Sequence, residues 1–258
     1  MTRFPRLWLA LLTSSVLFLV GCSSEQPART SPSSDVSVSG DPGPTILAEG
    51  SEALPAGIYG LDLDARGSGD ERFPQITITV PEGWANIDGW AVNSGEGTDH
   101  WVGITFWDVR EVYAHPCQWQ RRSIQPGPTV ADLASVLVKR PLRDATKPVD
   151  IVVDGFHGVQ LEWSVPAIGG EILRVGGRSY FDFSGCDEAP EGDHPFMSWT
   201  AGSWASARYQ QGPRQVDRLW ILDVDGERLV VDAMYMPTTD AKDRKELWQV
   251  MESIRFET

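Results

Sequence analysis

Apolar and polar residues alternate along several segments of the chain, and these segments predict strands. QITITV (residues 75–80) alternates and ends at the turn residues PEG (81–83). HWVGITFWDV (residues 100–109) is almost continuously apolar, as in a strand with both faces buried. Segments 149–165 and 218–236 each hold an Asp-Gly pair between two apolar runs, which is typical of a β-hairpin. The two pairs are Asp154-Gly155 and Asp225-Gly226.

Two other segments have the apolar spacing of amphipathic helices. In residues 127–141, Thr129 and Asp132 have capping-box spacing, with Asp in place of the usual Glu or Gln. In residues 238–256, a Thr-Asp pair can cap a second helix, and apolar residues recur at every third or fourth position. Strand pairs joined by short turns, with helices far apart along the chain, predict an α+β fold in which helices pack on an antiparallel sheet.

The first residues predict export and anchoring. Residues 1–21 have the form of a secretory signal peptide, in which two arginines precede an apolar segment (residues 7–20) too short for a transmembrane helix. LVGC (residues 19–22) resembles the bacterial lipobox. That resemblance implies that Cys22 is acylated and holds the protein on the extracytoplasmic face of the cell membrane, since two or more acyl chains anchor stably. The alternative is an ordinary signal peptide with a chance cysteine.

The next segment predicts a tether. Residues 22–52 follow the signal, are rich in Ser, Pro, Gly and Asp, and contain no aromatic residue. Such a composition buries too little apolar surface to fold, so we expect a lipidated cysteine followed by a disordered tether. Residues 53–258 have the length and composition of a single folded domain.

The charge of the chain excludes one class of partner. The formal net charge is −14, and removal of residues 1–21 takes away two arginines and no acidic residue, which leaves −16. A nucleic-acid-binding protein needs a basic face, so nucleic acid is excluded. The negative charge otherwise favours solubility, with an acidic site for a cationic partner as the alternative.

Two cysteines remain when Cys22 is lipidated. Cys117 and Cys186 are an even pair in an oxidising compartment, which predicts a disulfide. In the chain-entropy model a bridge across about 69 residues contributes roughly 4 kcal/mol. The alternative is two buried thiols.

No motif predicts catalysis, a cofactor or a metal site. The chain lacks nucleophile elbows, zinc-protease helices, P-loops and dinucleotide-binding glycine loops. Residues 62–73 imitate a calcium loop but place Arg66 and Phe73 where oxygen ligands are needed. Carboxylates could pair for acid/base work, yet a chain with 36 acidic residues forms such pairs by chance. The acid/base candidates are Asp187, Glu188 and Glu191. Asp193 and His194 could offer ligands to a metal, with an exposed turn as the alternative.

Tryptophan is unusually frequent, with eleven residues in the chain. Trp199 and Trp204 lie in SWTAGSW (residues 198–204), where small neighbours could leave a ring face open to a sugar or an apolar ligand. These two residues are the ligand-binding candidates. The alternative is that both rings pack in the interior, over the predicted disulfide.

Several longer motifs resemble a known group. GITFWDVREVYAHPCQW, VDGFHGVQLEWSVP, FSGCDE and DRLWILDVDGERLVVDAMYMPTTDAKDR are similar to a group of secreted or membrane-tethered actinobacterial proteins of unknown function, and the order of elements is similar to a PsbP-like α/β/α sandwich. The resemblance implies such a fold, used for binding and assembly more often than for catalysis. The chain departs from it between Pro166 and Phe183, which has the character of an insertion.

Together these observations predict a membrane-anchored envelope lipoprotein whose domain binds an envelope protein or a glycan without catalysis. The alternatives are an envelope hydrolase that uses paired carboxylates and a scaffold subunit of a membrane complex.

Overall fold

The computed structural model describes residues 43–63, 72–98, 100–168, 171–175, 178–202 and 207–257, with the backbone alone for 171–175 and 178–180. These residues form eighteen strands and two helices. The helices are α1 (Val130–Leu137) and α2 (Ala241–Glu252). In chain order the strands are β1 (Thr45–Ile46), β2 (Ala53–Leu54), β3 (Gly57–Leu61), β4 (Ile76–Val80), β5 (Trp84–Ile87), β6 (Ala91–Ser94), β7 (Val102–Trp107), β8 (Val109–Tyr113), β9 (Ser123–Ile124), β10 (Val149–Val153), β11 (Phe156–Ser164), β12 (Glu171–Val175), β13 (Arg178–Asp182), β14 (Met197–Ala201), β15 (Ala207–Tyr209), β16 (Val216–Val224), β17 (Glu227–Tyr235) and β18 (Arg255–Phe256).

A central sheet of eight strands has the order β10-β11-β16-β17-β7-β6-β5-β2. Strands β16 and β17 lie at its middle and pair antiparallel along nine residues each. Two four-stranded sheets have the orders β1-β3-β4-β18 and β15-β14-β8-β9. Strands β12 and β13 form a hairpin of their own within the segment that the sequence marks as an insertion.

Both faces of the central sheet are covered. Trp220 and Leu222 of β16 belong to a core cluster with α2 and the β1-β3-β4-β18 sheet. Leu219 and Ile221 of the same strand belong to a second cluster, with α1 and the β15-β14-β8-β9 sheet. Because successive strand residues point to opposite faces, burial of both faces explains the nearly continuous apolar runs of β16 and β17.

The local signals in the sequence are confirmed. Asp154-Gly155 and Asp225-Gly226 form the two predicted hairpin turns, and all four residues have positive φ, as a type I′ turn requires. Thr129 caps α1 with both hydrogen bonds of a capping box, and Asp240 caps α2.

The α+β prediction is wrong. The two helices have eight and twelve residues, whereas three extended sheets form the layers, so the fold is mostly β and sandwich-like. The sequence pattern did not reveal many of the strands, because they have only two to five residues, too few for an alternation of apolar and polar positions to be recognised. Several of them pair with strands distant in sequence, as β2 does with β5, β14 with β8 and β18 with β4, and such pairing leaves no local signal.

The folded unit begins before residue 53. Residues 43–258 form one compact unit, in which β1 pairs parallel with β3 and Leu47 is buried. The end of the segment that we predict as a tether therefore contributes to the core. The predicted signal peptide, Cys22 and most of that segment lie outside the described residues. Of the helices that the structure describes, none has the length and apolar character needed to span a membrane.

Candidate functional site

The two predicted disulfide partners are joined in the structure. Cys117 and Cys186 lie 69 residues apart in sequence, with an S–S distance of 2.02 Å. The bridge joins two loops, which also exchange a backbone hydrogen bond from Asp187 N–H to the Cys117 carbonyl. Phe183 and Phe196 pack beside it in a small core cluster. The bridge therefore links two loop segments whose cysteines lie outside the strands.

Of the carboxylates considered for acid/base chemistry, that of Asp187 helps to hold these loops together. Asp187 accepts a hydrogen bond from the Gln120 backbone N–H at 2.9 Å, and the Glu188 carbonyl accepts one from the Gln120 side chain. His194 lies 3.0 Å from Asp182, with which it also forms a backbone hydrogen bond. Within the described residues, no group of three or more His, Cys, Asp or Glu side chains is placed to hold a metal ion.

Trp199 lies in the core and offers no ring face to a surface ligand. It belongs to β14, and none of its surface is exposed to solvent. Its ring stacks on Trp163 with centroids 5.8 Å apart and meets Trp107 edge-on at 5.9 Å. Trp204, the other ligand-binding candidate, lies outside the described residues. The small neighbours of Trp199 thus accompany close interior packing rather than an open surface.

A network of buried polar groups lies beside this tryptophan cluster. Arg208 of β15 donates from Nε to Asp232 of β17 at 2.7 Å and from Nη2 to Asp217 of β16 at 3.0 Å. Both carboxylates are fully buried. Asp217 also accepts hydrogen bonds from Gln215 at 2.6 Å and from the Trp163 indole at 3.1 Å. The network joins the central sheet to the sheet that contains β15.

Burial shifts the pKa of groups in this network. Burial raises the pKa of Asp232 to about 7, with Asp217 adding to the shift and the Arg208 guanidinium opposing it. Burial lowers the pKa of Arg143, whose guanidinium lies 4.5 Å from the Trp163 ring centre, to about 9. Because Asp217 and Asp232 are closed off from solvent, this network can couple protonation to folding but cannot meet a ligand directly.

An open cleft of about 350 Å³ lies where the chain passes from β7 to β8. We call it the arginine cleft and define it by Arg72, Asp108, Arg110 and Arg228. Asp108 joins the two strands, and its Oδ2 lies 2.8 Å from Arg72 Nη1 and 3.2 Å from Arg110 Nη2. The other lining residues are Val109, Gln125, Pro126, Gly127, Pro128, Gly226 and Glu227.

Arg228 builds the wall of the arginine cleft. It donates to the carbonyls of Gly127, Thr129 and Val109, and so holds the segment before α1 against the start of β8. Burial lowers the pKa of Arg228, while Asp108 opposes that shift. Arg228 is thus a structural cation, whereas Arg110 extends into solvent with 57% of its side chain exposed.

Gly202 leaves room for the exposed arginine. A Cβ atom at Gly202 would lie 2.1 Å from Arg110 Nε and 2.5 Å from Asp108 Oδ2, closer than any real contact. The Gly202 N–H also donates to the Asp108 carbonyl at 2.9 Å. The arrangement of Arg110 and Asp108 therefore depends on the absence of a side chain at this position.

A second cleft, of about 410 Å³, contains Trp220 and Trp248. The Arg218 guanidinium lies 4.3 Å from the Trp248 ring centre and pairs with Glu162 at 3.1 Å. One face of the Trp248 ring is therefore covered by the protein's own cation. This cleft is less suited to stacking a ligand than its tryptophan content suggests.

Sequence reasoning missed the arginine cleft because its residues come from distant segments of the chain. The sequence did contain one indication of the residue at the centre of the cleft, Asp108. Asp108 interrupts the apolar run from residue 100 to Val109, and Asp232 interrupts the apolar run of β17 in the same way. A carboxylate inside a buried run requires a cationic partner, which predicts buried or half-buried arginines without identifying them.

Comparison with known proteins assigns no role to the residues of these clefts. No family model matches the chain, and no curated protein matches it. The resemblance to the actinobacterial group therefore stays a prediction.

Proposed function

We propose that the chain is a membrane-anchored envelope lipoprotein whose folded domain binds a ligand or partner without catalysis. The arginine cleft is the observation that supports this function best. It is concave and open, and its described lining holds three arginines and two carboxylates in a chain whose net charge is −14. A local excess of positive charge on an acidic protein attracts anionic groups.

The side chains of the arginine cleft are suited to binding. The described residues that line it include no Ser, Thr, Cys, His or Lys, and its two acidic side chains are Asp108 and Glu227. Asp108 is engaged by two guanidinium groups. Guanidinium groups recognise anionic groups through several directed hydrogen bonds, and they supply no proton at neutral pH.

The anchor is tested by fatty-acid labelling and fractionation of cells that express the full chain. We expect wild-type protein to incorporate a labelled fatty acid and to stay with the membrane, and Cys22→Ala to do neither. Equal membrane retention of both proteins would contradict the anchor.

The binding role is tested by crosslinking in the same intact cells, followed by mass spectrometry. Arg110→Glu reverses the charge of the exposed cleft residue, and Arg121→Glu makes the same change at an exposed arginine that does not line the cleft. We expect a reproducible crosslinked neighbour with wild type and Arg121→Glu, and its loss with Arg110→Glu. An identical crosslinking pattern for both variants would contradict the cleft as the binding surface.

A further inference from the structure

We propose that the arginine cleft binds one oxyanion group, a carboxylate or a phosphate diester, and that Arg110 donates the hydrogen bonds that hold it. This inference rests on the proposed binding function and names the chemical class of the ligand.

Arg110 has unused hydrogen-bonding capacity. A guanidinium has five N–H donors in a planar fork. Among the described residues, the Arg110 side chain makes one ion pair, to Asp108 through Nη2. That ion pair engages one end of the guanidinium, while 57% of the side chain remains exposed. The remaining donors match the two oxygens of a carboxylate or phosphate group.

The local charge also favours an anion. The described lining of the arginine cleft has three arginines, one aspartate and one glutamate, a formal charge of +1. A group with one negative charge neutralises this surface, and a cation is repelled by it. Carboxylates and phosphate diesters are the common biological oxyanions with a single negative charge.

The composition and size of the cleft wall suit a small anionic group. No described lining residue is aromatic, so the described wall offers no platform for stacking a sugar ring or a base. Its volume of about 350 Å³ lies at the small end of ligand sites. The cleft therefore suits a small acidic molecule or one acidic group of a larger molecule.

The surroundings of Arg110 are already arranged before a ligand binds. Gly202 admits the Arg110 and Asp108 side chains where any Cβ would collide with them, and Arg228 clamps the opposite wall through three backbone carbonyls. A cation that is already oriented loses little conformational freedom on binding, and this strengthens recognition.

The test is calorimetric titration of the full chain in neutral detergent with three soluble probes: sodium acetate, dimethyl phosphate and, as a neutral control, trimethyl phosphate. We expect acetate or dimethyl phosphate to bind wild type and the Arg121→Ala control equally. Affinity should fall at least tenfold in Arg110→Ala. Arg110→Lys keeps the charge but not the fork, so it should also bind more weakly than wild type. Thermal unfolding of each variant checks that its fold is intact.

A vesicle arm distinguishes a free ligand from a lipid headgroup. The full chain carrying Cys22→Ala is mixed with phosphatidylglycerol or phosphatidylcholine vesicles, and cosedimentation is measured. Binding to phosphatidylglycerol vesicles that Arg110→Ala abolishes would support the oxyanion class and assign it to a lipid. Binding of the soluble probes alone would assign it to a free ligand.

Two results would overturn the inference. One is the absence of Arg110-dependent binding to both anionic probes and to phosphatidylglycerol vesicles. The other is affinity for the neutral phosphate triester equal to that for the diester. In either case the intact-cell crosslink could still depend on Arg110, so the binding function would stand while the ligand class failed. Loss of anchoring in the fatty-acid labelling experiment would leave this titration unaffected.

Discussion

Arg208 Nε lies 2.7 Å from Asp232 Oδ2, and both side chains are buried between the central sheet and the sheet that contains β15. The same guanidinium also holds Asp217, so one cation serves two carboxylates. Asp232 has a second oxygen, Oδ1, that is buried and accepts no hydrogen bond from the described residues. Burial of a carboxylate with incomplete hydrogen bonding favours its protonated form, which accounts for its raised pKa of about 7.

This raised pKa predicts that stability falls as pH rises. The carboxyl of an unfolded aspartate titrates at about pH 4. Between that pH and about 7, Asp232 in the folded chain holds a proton that the unfolded chain releases. The contribution of Asp232 to the free energy of unfolding is therefore largest at the acid end of this window and is lost as pH rises through about 7.

Asp232→Asn removes the titrating group and keeps its size. We expect the melting temperature of wild type to decrease between pH 5 and pH 8 by more than that of Asp232→Asn, as measured by scanning calorimetry. The control is Asp144→Asn, at an exposed aspartate, which should keep the wild-type slope. Equal slopes for all three proteins would show that Asp232 does not titrate in this window.

The disulfide predicts a large loss of stability on its removal. Cys117→Ser with Cys186→Ser opens a loop of 69 residues, which the chain-entropy model values at roughly 4 kcal/mol. The double variant should unfold at lower urea concentration than wild type, and wild type in reductant should approach the same midpoint. An unchanged midpoint in both cases would mean that Phe183 and Phe196 hold these loops without the bridge.

The sequence predicted those features whose cause is local. The Asp-Gly turns at 154–155 and 225–226 and the capping box at Thr129 depend on neighbouring residues, and each is confirmed. The layers were not predictable in the same way. The small residues of SWTAGSW predict an open ring face at Trp199, yet pairing with β8 and β15 makes residues 197–201 a strand with Trp199 directed inward.

The arginine cleft illustrates the same limit at a site. Arg110 lies two residues from Asp108, but Arg72 and Arg228 reach it from strands and loops distant in sequence. Their convergence follows from the pairing of β7 with β17 and from the link between β7 and β8. Patterns of apolar residues indicate which faces are buried and carry no information about which charged residues meet at an edge.

The close approach of β11 to β16 predicts that a small substitution is severely destabilising. A Cβ at Gly158 would lie 2.1 Å from the Ile221 carbonyl oxygen, and the ladder between these strands prevents the backbone from moving apart. We expect Gly158→Ala to lower the free energy of unfolding by about 3 kcal/mol, at the upper end for overpacked cores. Gly43→Ala is the control, because nothing lies within 4 Å of its Cβ position. Similar urea midpoints for the two variants would contradict the clash.

The stability of a Trp199 variant distinguishes a core role for this residue from a ligand-binding role. It is fully buried between Trp107 and Trp163, so Trp199→Ala leaves a cavity between the central sheet and β14. Large-to-small changes of this kind cost about 3–5 kcal/mol. We expect urea denaturation to show a loss of this size, whereas Ile58→Ala, at an apolar residue that is 62% exposed, should change stability by less than about 0.5 kcal/mol. A Trp199→Ala protein as stable as wild type would contradict the core role of Trp199 and would favour the ligand-binding interpretation.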